Sequence, residues 1–195
     1  MAGLAMQLFG SNTSPYARRL RMLCEQHSLN IPYEHIDIFS PEGREKLLSY
    51  SPVAKIPFLV DGEQVILDSN VVFEYITEQR GLTPLDWNEK NLLTTINAAN
   101  DSGVELLLSQ RSGLDIDSEN LFFSLQKKRI ASCLEALNKQ VEQIQHDYLL
   151  ISLFCLVDWL SFREIADLSA YPALQVFLQQ YQQTPWAQST DPRQG

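Results

Sequence analysis

The chain has 195 residues, 45% hydrophobic and 20% charged, with a formal net charge of −9. This suits one large folded domain or two small ones, and it argues against a nucleic-acid surface, which needs a basic patch. The densest basic run, Arg18-Arg19-Leu20-Arg21, lies early in an amphipathic helix, and no apolar run approaches the roughly 18 residues of a membrane span.

The opening Met1–Met6 has no basic n-region and no long apolar core, so no signal peptide is read there and a cytoplasmic location is expected. Met6-Gln7-Leu8-Phe9 is a short strand ended by Gly10. Ser14-Pro15 then starts a helix, with a hydroxyl at the N-cap and proline at the first helical position. Ala17, Leu20, Leu23, Cys24 and His27 recur at helical spacing along one face. A second strand is expected from Tyr33 to Ile38, where apolar and polar residues alternate, and Pro41-Glu42-Gly43 opens a helix over Arg44–Tyr50. Lys55–Ser69 reads as strand, turn, strand and helix start: Phe58–Val60, the Asp61-Gly62 turn signal, Gln64–Leu67, then Asp68-Ser69 as capping residues for a helix to about Gln79.

Gly81-Leu82-Thr83-Pro84-Leu85-Asp86 is the best linker, and strand signals stop beyond it. Leu92, Ile96, Ala99, Gly103 and Leu106 mark one helix face. Leu121, Leu125, Ile130, Leu134, Leu137, Val141 and Ile144 mark a longer helix, and Leu149–Phe162 reads as a central buried helix. Pro172–Tyr181 is amphipathic and is broken by Thr184-Pro185. The three cysteines (Cys24, Cys133, Cys155) make no Cys-x-x-Cys pair and no zinc spacing with His27, His35 or His146. No metal is expected, and each thiol is read as free and buried, in keeping with a reducing compartment.

The order βαβαββα followed by helices, with Ser14-Pro15-Tyr16-Ala17-Arg18-Arg19 at the first helix and Leu160-Ser161-Phe162-Arg163 near the core helix, resembles the glutathione S-transferase family, in particular its bacterial Ser-Pro-Phe/Tyr type. The resemblance implies a thioredoxin-like α/β domain over residues 1–80, a linker over 81–87 and an all-α helical-bundle domain over 88–195. It also implies glutathione as co-substrate, a small hydrophobic electrophile as second substrate, a detoxification role and a homodimer.

Carried onto this sequence, the resemblance assigns Pro57 as the cis-proline, with the Ile56 backbone facing the cysteinyl part of glutathione. Asp68 and Ser69 take the γ-glutamyl end, and Lys55 takes the glycyl carboxylate; Val53-Ala54 stands where relatives often carry Leu-Gly. Ser14 is the expected catalytic residue, its hydroxyl donating to the glutathione sulfur to favour the thiolate. Ser11 and Thr13 are near enough to replace it. Ser11 and Tyr16 are expected to line the glutathione site, and Leu106, Leu107, Gln110 and Arg111 are candidates for the electrophile side. Asp158, in Cys155-Leu156-Val157-Asp158, is matched to a buried capping motif at the core helix and read as structural. Two other readings stand beside the transferase. One is a noncatalytic interaction protein on the same fold, like the stringent starvation proteins that bind RNA polymerase. The other, an oxidoreductase acting through its own cysteines, is disfavoured because none lies at the first helix start.

Overall fold

The computed structural model describes residues 6–194, so the leader reading of residues 1–5 lies outside the described residues. The chain forms two compact units, one made of the stretch up to Pro84 together with the stretch from Pro185 on, the other of Leu85–Thr184. The first unit runs β1 (Gln7–Gly10), α1 (Pro15–Gln26), β2 (Tyr33–His35), α2 (Pro41–Tyr50), β3 (Phe58–Asp61), β4 (Gln64–Leu67) and α3 (Ser69–Arg80). Its sheet has the order β2-β1-β3-β4, with β1 parallel to β2 and β3 antiparallel to both β1 and β4. This is the thioredoxin-like arrangement.

Alternation along the strands divides the core between two faces. Phe9 and Phe58 stack with ring centroids 4.8 Å apart and form one cluster with Ile36 and with Leu47 of α2. Leu8 pairs with Leu59 one step along, so both point to the opposite face; α3 packs on β3 and β4 and against α1, burying Leu20, Leu23, Val72 and Ile76. Each such side chain contributes about 1.5–3 kcal/mol by leaving water. Gly10 is needed where α1 crosses β1, because a Cβ there would sit 2.6 Å from the Ala17 Cβ.

Side chains start the helices. Ser14 accepts from the Ala17 N–H, Ser40 from the Gly43 N–H, and Asp68 from the Asn70 and Val71 N–H groups. The Ser40 cap begins α2 at Pro41, and β2 stops at His35 instead of reaching Ile38. The hairpin turn is also shifted by one residue. Asp61 pairs with Gln64, so Gly62-Glu63 makes the turn, and Gly62 takes the positive φ of 61° in the first turn position.

The second unit holds α4 (Trp87–Arg111), α5 (Leu121–Gln140), a 3-10 turn at Val141–Gln143, α6 (Asp147–Phe162) and α7 (Pro172–Tyr181). A capping box between Asp86 and Glu89 starts α4. The helix expected to continue through Ile144 ends at Gln140, and α6 is the buried central one. Gly103 lets α4 approach it: a Cβ there would lie 2.9 Å from Leu160 and Trp159 atoms.

Three further expectations are corrected. Asp158 lies in the last turns of α6 and caps nothing at its start; His146 is the N-cap, its Nδ1 accepting from the Tyr148 N–H at 3.2 Å. The apolar run begins earlier than the Cys155–Asp158 match implied, so the helix does too. Cys133 is half-buried, unlike Cys24 and Cys155. The last helix, α8 (Pro185–Ser189), belongs with the first unit, although the sequence reading carried the second domain to residue 195. Buried Arg18 draws it in, donating from Nη2 to the Ala187 carbonyl at 2.9 Å and from Nε to Thr190 Oγ1 at 3.3 Å, while Ser189 donates to the Glu25 carboxylate.

Candidate functional site

The strand register gathers the expected residues. Phe9 faces Phe58, and Phe58 faces Leu67, so the end of β1, the start of β3 and the end of β4 form one row. Three connections leave the sheet from that row: Ser11–Ser14 after β1, Lys55-Ile56-Pro57 before β3, and Asp68-Ser69 after β4. Neighbouring strands are about 4.8 Å apart, so the row spans about 10 Å. An extended tripeptide reaches a similar length, about 10 Å.

At the first connection, Ser14 is half-buried, and its Oγ accepts from the Ala17 N–H at 3.2 Å. That bond uses an oxygen lone pair and leaves the hydroxyl hydrogen to donate elsewhere. The partial positive charge of the α1 N-terminus lies beneath it. Ser11 Oγ and Thr13 Oγ1 are 3.5 Å apart, and the Ser11 carbonyl accepts from the Ser14 N–H at 3.0 Å, so all three hydroxyls belong to one tight turn. Tyr16 lies further along α1 with the Arg19 guanidinium 5.0 Å from its ring centre.

Before β3, the Ile56–Pro57 peptide bond is cis. No backbone–backbone hydrogen bond engages Ile56 among the described residues, and Pro57 is buried. Lys55 is exposed and forms no ion pair among the described residues.

After β4, Asp68 adopts φ 71° and ψ 138°, a region that residues with a Cβ rarely occupy. Its Oδ1 accepts from the Asn70 N–H at 2.8 Å and the Val71 N–H at 3.5 Å, and the residue is exposed. The carboxylate thus caps α3, as the sequence implied, through Oδ1 alone; its Oδ2 accepts from none of the described residues. Ser69 beside it is only 3% exposed.

Sequence reasoning passed over two residues at this edge. Gly10 pairs with His35 because β1 and β2 are parallel, and the His35 Nδ1 accepts from the Asn12 N–H at 3.2 Å. The Asn12 side chain accepts from Arg21 Nη1 at 3.4 Å, and that guanidinium lies 4.5 Å from the Tyr33 ring centre. Burial pushes the Tyr33 phenol up to about 12, against the opposing charge of Arg21. The only signal for His35 was its place at the end of a strand parallel to β1.

Of the electrophile-side candidates on α4, Leu106 is buried, Leu107 is half-buried, and Gln110 and Arg111 are exposed. An open cleft of about 440 Å³ in the second unit, between Ser161, Glu164, Asp167, Gln175 and Gln179, contains none of the expected residues. Among the described residues no His, Cys, Asp or Glu group could hold a metal ion, and no helix is long and apolar enough to cross a membrane.

A model of the glutathione S-transferase N-terminal domain matches residues 8–84. Residues 8–84 are thus similar in sequence to a glutathione S-transferase N-terminal domain. Within the curated proteins, glutathione S-transferase U1 of Arabidopsis thaliana is 29% identical over 82 residues, 42% of this chain and 36% of that protein. A stringent starvation protein A homologue of Haemophilus ducreyi is 31% identical over 80 residues, 41% of this chain and 36% of the relative. These matches thus span about a third of the length of the curated relatives. A crystal structure of a glutathione S-transferase from Methylobacillus flagellatus with glutathione bound is similar in fold, with a TM-score of 0.82 at 20% identity, covering 95% of this chain and 98% of that one. The chain therefore has the glutathione S-transferase fold through both units.

Proposed function

We propose that this chain is a glutathione transferase that binds the tripeptide along the Phe9–Phe58–Leu67 edge and activates its thiol for attack on a small hydrophobic electrophile. The observation that carries this is Asp68, a side-chain-bearing residue in a strained backbone conformation, with one carboxylate oxygen directed to α3 and the other available. Strain of this kind collects at ligand sites. Asp68 pairs with the γ-glutamyl ammonium, and Ser69 takes the adjoining carboxylate. Ile56, set by Pro57, offers its N–H and C=O to the cysteinyl unit as an added strand would, and Lys55 meets the glycyl carboxylate. Ser11 and Tyr16 border the thiol.

Ser14 acts on the sulfur. A free thiol ionises near about 8.5, so few are thiolate at neutral pH. Donation from the Ser14 hydroxyl, backed by the α1 N-terminus, favours the anion and lowers that value. The thiol proton passes to solvent, the sulfur lone pair forms the carbon–sulfur bond, and the electrophile takes up the displaced pair. The protein works as a cytoplasmic homodimer in this reading, which light scattering checks as twice the chain mass.

Calorimetric titration with reduced glutathione tests the reading. Saturable micromolar-to-millimolar binding is expected, and no heat at tens of millimolar would overturn it. The similarity to stringent starvation protein A homologues favours one other reading, a noncatalytic chain with a protein partner. That reading predicts the null titration.

A further inference from the structure

We infer that His35 is a positioning residue for the thiol-activating turn: its neutral imidazole holds Ser11–Ser14 in place through the Asn12 N–H. This rests on the glutathione reading for its catalytic consequence and on geometry alone for the contact itself.

The turn after β1 carries every candidate hydroxyl, yet a loop of four residues leaving a strand end has few bonds of its own. Two of its bonds are internal, Ser14 N–H to the Ser11 carbonyl and the Ser11–Thr13 hydroxyl contact. Both ties through Asn12 are external, and they grip opposite ends of one residue. His35 Nδ1 accepts from the backbone N–H at 3.2 Å, and Arg21 Nη1 donates to the side-chain carbonyl at 3.4 Å. Parallel pairing of Gly10 with His35 fixes the first tie, since it sets the imidazole beside the chain as it leaves β1. The second is fixed by the Tyr33 ring, against which the Arg21 guanidinium lies. As Nδ1 is the acceptor, it carries no proton, and the N–H of the ring is at Nε2. Loss of this acceptor frees the Asn12 amide, and the turn that presents Ser14 loses one of its ties to the rest of the unit.

Two variants separate the contact from bulk. His35→Leu keeps the size and lacks an acceptor; His35→Asn keeps an acceptor at the δ position. In the unliganded protein, amide hydrogen exchange at Asn12 is expected to speed up about 3- to 10-fold in His35→Leu, the effect of losing one modest hydrogen bond, and to return toward wild type in His35→Asn. At saturating glutathione, kcat is expected to fall in His35→Leu and recover in His35→Asn, with the KM for glutathione little changed. Equal Asn12 exchange in wild type and His35→Leu, or no recovery in His35→Asn, overturns the inference. If the wild-type protein does not bind glutathione, the functional reading falls, and the exchange rates alone decide whether His35 holds the turn.

Discussion

Substitutions at Asp68 separate the strain in the site from its chemistry. At φ 71° and ψ 138° a residue with a Cβ carries about 1–3 kcal/mol of backbone strain. Asp68→Ala keeps that strain and loses the cap on Asn70 and Val71, a destabilisation of about 1 kcal/mol. Asp68→Gly also loses the side chain, but glycine is the better N-cap of the two by about 0.5 kcal/mol or more, and it occupies positive φ without a steric penalty. Opposing this is the freedom glycine adds to the unfolded chain, about 0.4–1 kcal/mol. The middle of each range makes the glycine variant about 2 kcal/mol more stable than the alanine variant, and the least favourable ends still leave about 0.5 kcal/mol. Urea unfolding of the two variants side by side measures the difference. Both lose the carboxylate, so both should weaken glutathione binding alike, by about 5- to 30-fold for an exposed charge-assisted bond of about 1–2 kcal/mol. A glycine variant no more stable than the alanine variant refutes the strain argument. Unchanged glutathione affinity in either variant removes Asp68 as the anchor.

Ser14→Ala should lower kcat about tenfold and raise the apparent pKa of the bound glutathione thiol, seen as a weaker thiolate absorbance at neutral pH, while glutathione affinity holds; an unchanged rate moves the role to Ser11 or Thr13. Burial, with Glu25 adding to it against the pull of Arg80, pushes the Cys24 thiol up to about 12 from 9.0. The folded chain therefore keeps a proton that the unfolded chain gives up above pH 9.0, so the contribution is intact below that pH. It is lost toward pH 12 at up to about 1.4 kcal/mol per pH unit. Alkylation under native conditions at pH 8 should accordingly reach half-buried Cys133 first, and modification of Cys24 ahead of Cys133 would contradict the burial argument.

Local rules carried most of the first unit. Ser14-Pro15 and Asp68-Ser69 announce helix starts through side-chain chemistry that works within four residues, and the structure places α1 and α3 there. Gly62 announces a turn, but its neighbours Asp61 and Glu63 both suit one, and only the pairing of Asp61 with Gln64 decides the register. Long-range placement was less legible. His35 looks like any polar residue in an alternating strand until β2 lies parallel to β1. The return of α8 to α1 depends on Arg18, which in sequence belongs to a basic run suited to a solvated helix face and in the fold is 3% exposed. In α6 the run of apolar residues is so even that it carries no phase, and the start of the helix at Asp147 is set by the His146 cap.

The return of the chain to α1 has a consequence for synthesis on the ribosome. The second unit is spliced into the first, so the seat for Ala187 and Thr190 on Arg18 is built about a hundred residues before its occupants emerge. At about 5–20 residues per second that is a wait of about 5–20 s, long compared with the folding of a small domain. During it the nascent α/β unit holds its sheet and its site edge but lacks its last helix. Completion of the thioredoxin-like unit therefore waits until the second unit has been made, although nearly all of the first is translated before it.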